Sequence, residues 1–244
     1  MYRKSTLLSR HNHKTIKGEK YGYITYILYL SPYKDNSRGV NLCPHASPGC
    51  SSACLFKSGK TGLFINVANG RRNKTEWFLE NRPEFMNAIE KEIRMALARH
   101  AGSGYQVVFR LNGTSDILWE RIPVAGRANI FELFPDVQFY DYTKIPKRMD
   151  LKIPNYHLTF SRSEINDEDC MKVLAKGHNV AMVFREVPET YKGYRVINGD
   201  DSDVRFNDEC GVIVGLKYKN ATGKEGAAAN ANSKVSGFVI DKTA

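Results

Sequence analysis

The chain contains no run approaching the roughly 20 apolar residues that a membrane-spanning helix needs. Its longest apolar candidate, Tyr23 to Leu30, has the length of a strand. The basic N-terminus, Met1-Tyr2-Arg3-Lys4, lacks an apolar segment behind it, so no signal peptide is expected. Together these absences predict a cytoplasmic protein with no membrane partner. Asn73, Asn112 and Asn220 head glycosylation patterns that carry no meaning without secretion. Cysteine is scarce and odd in number, five in all, which argues against a disulfide scaffold in a reducing compartment. A phosphate-binding loop is also missing. Ser58-Gly59-Lys60-Thr61 has the end of one, but its first glycine position is Cys54 and no strand leads into it. No repeat of fixed period and no second domain is visible, so residues 1–244 read as one domain.

Hydrophobic residues make up 42% of the 244, enough for a core and too many for global disorder. The formal charge is +10. A basic surface favours polyanions such as nucleic acid, nucleotides or phosphorylated substrates, although the charge is spread along the chain instead of forming a tail. Arg71, Arg72 and Lys74, beside the cysteine-bearing segment, are the candidate nucleic-acid contacts.

Residues 1–20 are polar and basic and read as a lead-in arm. A strand follows over 21–30, then a long loop over 31–60 that holds three cysteines; loops of that length are usually functional. Asn81-Arg82-Pro83-Glu84 opens a helix with a cap residue, an early proline and a capping-box Glu. Phe85, Ile89, Ile93 and Leu97 mark its apolar face, and Ala101-Gly102 ends it. Short apolar runs at 105–111, 137–142, 156–160, 180–184, 194–197 and 211–216 read as strands, with helices between several of them, notably 129–134 and 166–176. Alternation of this kind implies parallel strands with crossover helices. The expected fold is α/β, a partial or complete β/α barrel, with a doubly wound open sheet as the alternative. Residues 220–234 are of low complexity and read as a flexible loop, and 237–241 as a last short strand.

The chemistry concentrates in Cys43-Pro-His-Ala-Ser-Pro-Gly-Cys50-Ser-Ser-Ala-Cys54. If the chain turns helical after Gly49, Cys50 and Cys54 share one face. Thiolates are soft ligands that suit iron–sulfur clusters, zinc and copper(I). A structural zinc site usually takes four ligands in close pairs, whereas three thiolates leave one iron of a four-iron cluster open. Cys43, Cys50 and Cys54 are therefore read as ligands of an iron–sulfur cluster of the 4Fe-4S type. Zinc is the alternative, its sphere closed by His45, Cys170 or Cys210. Cys170, beside Met171, Val173 and Leu174, reads as a core thiol.

Polar residues recur just after each apolar run. Parallel α/β folds carry their active sites at those C-terminal strand ends. Asp116, Tyr142 and Lys144 are the catalytic candidates there; Arg110, Asn112, Ser161, Arg185 and Asp200 are the substrate-binding ones.

These residues resemble the gene-product-eighty-eight family of phages and plasmids. The matching pieces are Cys43-Pro44-His45-Ala46 with Cys50 and Cys54; Arg71-Arg72; Arg110-Leu-Asn-Gly113-Thr-Ser-Asp116; Phe139-Tyr-Asp-Tyr-Thr-Lys144; and Pro154-Asn155 through Ser161. They span about residues 40–165, with Asn112 where the family pattern has His and one extra residue in the first cysteine gap. The resemblance implies a bacteriophage origin, and so the cytoplasm of an infected host, but it supplies no reaction. The layout is also similar to radical S-adenosylmethionine enzymes: a first strand, a three-cysteine loop, then a β/α barrel. Those enzymes usually separate their cysteines by three and two residues, against six and three here. That likeness implies S-adenosylmethionine as a co-substrate or substrate, and the basic charge adds a nucleotide or nucleic acid as the alternative substrate. The alternative function is a metal-stabilised nucleic-acid-binding protein without catalysis.

Overall fold

Short apolar runs, mostly buried along their whole length, assemble nine strands of the described residues into one sheet. The computed structural model describes residues 6–10, 13–54, 64–220 and 236–241. The strands are β1 (Leu8–Ser9), β2 (Tyr23–Leu28), β3 (Gln106–Arg110), β4 (Phe139–Thr143), β5 (Tyr156–Ser161), β6 (Val180–Phe184), β7 (Thr190–Tyr191), β8 (Tyr194–Asn198) and β9 (Ile213–Lys217). Their order across the sheet is β1-β2-β3-β4-β5-β6-β9-β8-β7. Pairs from β2 through β6 to β9 and β8 are parallel; only β1 and β7 run antiparallel to their neighbours. Strands β2 to β6 lie in chain order, without the reversal that defines a doubly wound sheet. The sheet is open, because among the described residues its edge strands β1 and β7 do not pair with each other. A complete barrel is therefore not formed.

Among the described residues six helices accompany the sheet: α1 (His13–Glu19), α2 (Pro48–Ser52), α3 (Ile65–Glu80), α4 (Arg82–His100), α5 (Ile130–Leu133) and α6 (Asp167–Ala175). Asn81 starts α4 as expected. Its side chain accepts the Glu84 N–H at 3.2 Å and donates to the Glu84 carboxylate at 3.0 Å, the reciprocal pattern of a capping box. Phe85, Ile89 and Ile93 are then wholly buried on one stripe. They join Phe78 of α3 and Tyr26, Phe109, Phe139 and Phe160 of the strands in one apolar layer. Burying each such side chain stabilises the fold by about 1.5–3 kcal/mol. The opposite face of the same strands carries Thr25, Arg110, Tyr140, Tyr142, Ala181 and Val183. Helix α1 and the 3-10 turn Arg205–Asn207 cover part of it, with Phe206 edge-on to Tyr23 at 5.1 Å and to Tyr140 at 5.5 Å.

The lead-in expected over residues 1–20 is not a loose arm where it is described. Leu7 and Leu8 are buried, and their N–H groups donate to the two oxygens of Glu92 at 2.7 and 2.8 Å. Residues 13–19 form α1, and residues 8–9 form β1. The low-complexity segment lies outside the described residues, apart from Asn220. The expected strand at 237–241 is reduced to a single bridge, Ile240 with Phe184.

Candidate functional site

Parallel strands place all their C-terminal ends on one edge, and the loop after β2 comes back over that edge. Its course is fixed by backbone contacts. Leu42 donates to the Tyr33 carbonyl at 3.0 Å, and its own carbonyl accepts the Asp116 N–H at 2.8 Å. The Cys43 N–H is held by Asn41 at 2.8 Å, and the Cys43 thiol lies 3.5 Å from the Thr114 carbonyl. Tyr33 takes a left-handed conformation, φ 56, that is costly for a side chain of its size. From there its backbone N–H points at the Cys43 sulfur.

The second half of the loop is clamped from β5. Ser47 caps α2 by accepting the Cys50 N–H at 3.1 Å. Glu164, just past β5, accepts the Ser47 hydroxyl at 2.6 Å and the Gly49 N–H at 2.7 Å. Gly49 tolerates no side chain, because a Cβ would sit 2.6 Å from Ser236 Oγ, 2.7 Å from Phe238 Cβ and 2.8 Å from the Glu164 carboxylate. Helix α2 reaches Ser52, so Cys50 lies within it and Cys54 just beyond. Glu164→Ala removes both bonds. It is expected to raise the alkylation rate of Cys50 and Cys54 in metal-free protein at least several-fold, with the fold retained by circular dichroism. Unchanged rates would show that Glu164 does not hold the loop.

Cys43, Cys50 and Cys54 line one cavity of about 630 Å³. Arg110, Asn112, Asp116, Tyr142, Lys144, Ser161 and Asp200 line it as well. Arg185 does not: its guanidinium turns to Asp241 at 2.5 Å, where residues 236–241 run beside β6. Tyr33, Arg72, Lys217, Tyr218, Lys219 and Phe238 complete parts of the wall. Sequence patterns gave no sign of Phe238, which arrives from the far end of the chain.

The lining residues differ in what they leave for a ligand. Asn112 is spent on the loop. Its oxygen accepts from Ser115 at 2.9 Å, Ile117 at 2.9 Å and Trp119 at 3.0 Å, and its amide donates to Ile117 at 3.0 Å. Buried Asp116 accepts the Lys144 N–H and an Arg148 Nη, both at 2.8 Å, so its carboxylate positions the loops after β3 and β4. Arg110 bonds Asp203 at 3.1 Å and lies over the Tyr142 ring at 4.6 Å. Asp200 accepts the Lys217 N–H at 2.8 Å and the Lys219 ammonium at 3.0 Å. Tyr142 presents its phenol, pushed up to about 12 mainly by burial. Lys144 presents an ammonium that donates to Ser161 at 2.5 Å. Burial also pushes the Cys43 thiol up to about 12, with Cys54, Cys50 and Asp116 adding to the effect.

Arg71, Arg72 and Lys74 do not form an exposed basic patch. Arg71 lies over the Tyr29 ring at 4.5 Å, Arg72 pairs with Asp35 at 2.9 Å, and Lys74 donates to the Leu7 carbonyl at 2.9 Å. Burial lowers Lys74 to about 8, against the opposing pull of Glu92. Helix α3 gives each of these residues a partner within the protein, which a reading of adjacent charges does not anticipate.

Buried Asp141 and half-buried His157, on opposite faces of the sheet, give the fold a pH signature. Burial raises Asp141 from 3.8 to about 7, partly opposed by Arg110 and by the N–H of Asn112. Burial lowers His157 from 6.5 to about 4, helped by Arg205 and His178. Between those values the folded state keeps a proton on Asp141 that the unfolded state releases, so this contribution falls as pH rises from about 4 to 7. The folded state lacks a proton on His157 that the unfolded state binds, so that contribution rises from about 4 to 6.5. Each slope is at most about 1.4 kcal/mol per pH unit. Relative to wild type, Asp141→Asn is expected to make stability climb with pH, and His157→Gln to make it decline. Urea titrations at pH 4.5, 5.5 and 6.5 check this; parallel curves for all three proteins would contradict it.

Among the described residues, no three His, Cys, Asp or Glu side chains gather closely enough to hold one metal ion. No described helix is long and apolar enough to cross a membrane. No curated protein and no solved structure matches the chain. A family model described as Gene product 88 does match, over residues 6–240, and the chain belongs to the Gene product 88 family.

Proposed function

We propose that Cys43, Cys50 and Cys54 hold an iron–sulfur cluster at the mouth of the cavity, and that the chain uses it to bind and activate a small molecule. The observation that carries this reading is the meeting of all three clustered thiols with the polar strand ends on one hollow. The unreversed order of β2 to β6 supports a partial β/α barrel around that hollow. The three cysteines border a common space. A structural zinc site usually takes four ligands in close pairs, whereas three thiolates leave one iron of a four-iron cluster open. Such a cluster, when bound, supplies one-electron chemistry and an iron open to a ligand.

The chain's own residues do the rest. The Tyr33 N–H and the Glu164 clamp fix where the sulfurs point. Asp116 places Lys144 through its backbone, and Arg110 stacks on Tyr142. Tyr142 and Lys144 are then the proton-bearing groups offered to a substrate. S-adenosylmethionine is the co-substrate the cysteine loop suggests, and phage-infected cytoplasm the setting. With cluster content measured in parallel, reduced protein should cleave S-adenosylmethionine to deoxyadenosine. Tyr142→Phe or Lys144→Ala should slow turnover by about 10²–10⁴ without loss of iron. Cluster-loaded protein that never turns over, yet binds DNA or RNA with a steep salt dependence, would replace this reading with the nucleic-acid-binding alternative.

A further inference from the structure

We propose that the cavity takes a phosphate-bearing ligand of mononucleotide size, with its phosphate held by Lys144 and Ser161. The inference deepens the reading of this hollow as a ligand site but does not depend on the metal. Of the cations around the cavity, Arg72 is tied to Asp35 at 2.9 Å, Arg110 to Asp203 at 3.1 Å and Lys219 to Asp200 at 3.0 Å. Lys217 also lines the wall without a carboxylate partner among the described residues, but it is exposed, whereas Lys144 is not. Lys144 is half-buried, and its ammonium contacts the Ser161 hydroxyl at 2.5 Å and the Phe238 ring at 5.9 Å. Among the described residues no carboxylate pairs with it. The nearby Asp116 carboxylate is already taken by the Lys144 backbone and by Arg148.

A half-buried ammonium that meets a hydroxyl and an aromatic ring but no carboxylate among the described residues has lost part of its hydration, so an incoming anion is favoured there. Ser161 accepts from Lys144, which leaves its own O–H free to donate to the same anion. Lysine is a point charge with rotatable donors, better matched to phosphate than to the fork-shaped recognition of a carboxylate. Size follows from the sheet. Lys144 follows β4 and Lys217 ends β9, three strands away in the order β4-β5-β6-β9, which is about 14 Å at about 4.8 Å per strand. Between them Val183, Leu216 and the rings of Phe238 and Tyr218 line the cavity. That surface suits a flat base, with the phosphate at one end.

Isothermal titration of the full chain tests this, in metal-free and in iron–sulfide-reconstituted form. The probes are the four ribonucleoside 5′-monophosphates, their parent nucleosides and succinate. At least one monophosphate should bind at least about 10-fold tighter than its nucleoside and than succinate. Lys144→Gln and Ser161→Ala, each confirmed folded by circular dichroism, should erase that difference. The proposal is overturned if no monophosphate exceeds its nucleoside, if succinate binds equally well, or if the advantage survives both substitutions. Preference seen in the metal-free protein stands even if no cluster assembles, and loss of the preference leaves the cluster assignment untouched.

Discussion

Arg148→Met is expected to destabilise the protein by about 3–5 kcal/mol, the cost of stripping the partner from buried charges. Arg148 sits in the 3-10 turn Pro146–Asp150 and is buried. Its guanidinium meets Asp116 at 2.8 Å, Glu120 at 2.8 and 3.0 Å, and the Tyr156 hydroxyl at 2.9 Å. Methionine fills much of the same space, so packing is largely kept. The two carboxylates, however, are left in the interior with no cation. For a chain of this length the loss corresponds to a fall in Tm of about 6–20 °C. Arg195→Met is the matched control. Its pair with Glu209, at 2.5 Å, is exposed on both sides, and breaking it should change stability by less than about 1 kcal/mol. Equal effects from the two substitutions in thermal or urea unfolding would mean that the Arg148 network does not hold the loops after β3 and β4.

Serine in place of Cys43, Cys50 or Cys54 is expected to abolish the visible absorption and iron content of anaerobically reconstituted protein. Each change removes one of three thiolates, and hydroxyls are poor ligands for iron in a cluster. Cys170→Ser and Cys210→Ser should leave both properties intact. Cys170 is buried in α6 between its own helix and the core, and Cys210 is exposed away from the cavity wall. Full iron content in any of the three loop variants would remove that cysteine from the site. Loss of iron in Cys170→Ser, with the fold retained, would point to a fourth thiolate instead of an open iron.

Much of this arrangement was legible in the sequence. Helix α4 announced itself through Asn81, Pro83 and the stripe from Phe85 to Ile93. The parallel strands showed as apolar runs ending in polar residues, and that topology alone brought Arg110, Tyr142, Lys144, Ser161 and Asp200 to the cysteine loop. Other parts were hidden for physical reasons. Helix α3 reads Ile-Asn-Val-Ala-Asn-Gly-Arg-Arg-Asn-Lys-Thr-Glu-Trp-Phe-Leu-Glu and buries only Ala68, Thr75 and Phe78, so it has almost no apolar stripe to find. Helix α1 and strand β1 depend on distant partners, Glu92 among them, that local pattern does not reveal. Arg185 missed the cavity because a segment more than 50 residues later draws it aside. Asp116 and Asn112 stand where reactive residues would, yet their hydrogen bonds go to the protein. Whether the strands close on themselves depends on curl and on edge pairing, and neither is written in any single strand.

The metal content of protein purified without oxygen decides whether Cys43, Cys50 and Cys54 hold a cluster. Iron, acid-labile sulfide and zinc should be measured on the same sample. The cluster assignment predicts iron and sulfide in equal amounts, about four of each per chain, with negligible zinc. One zinc per chain with no iron or sulfide would contradict it.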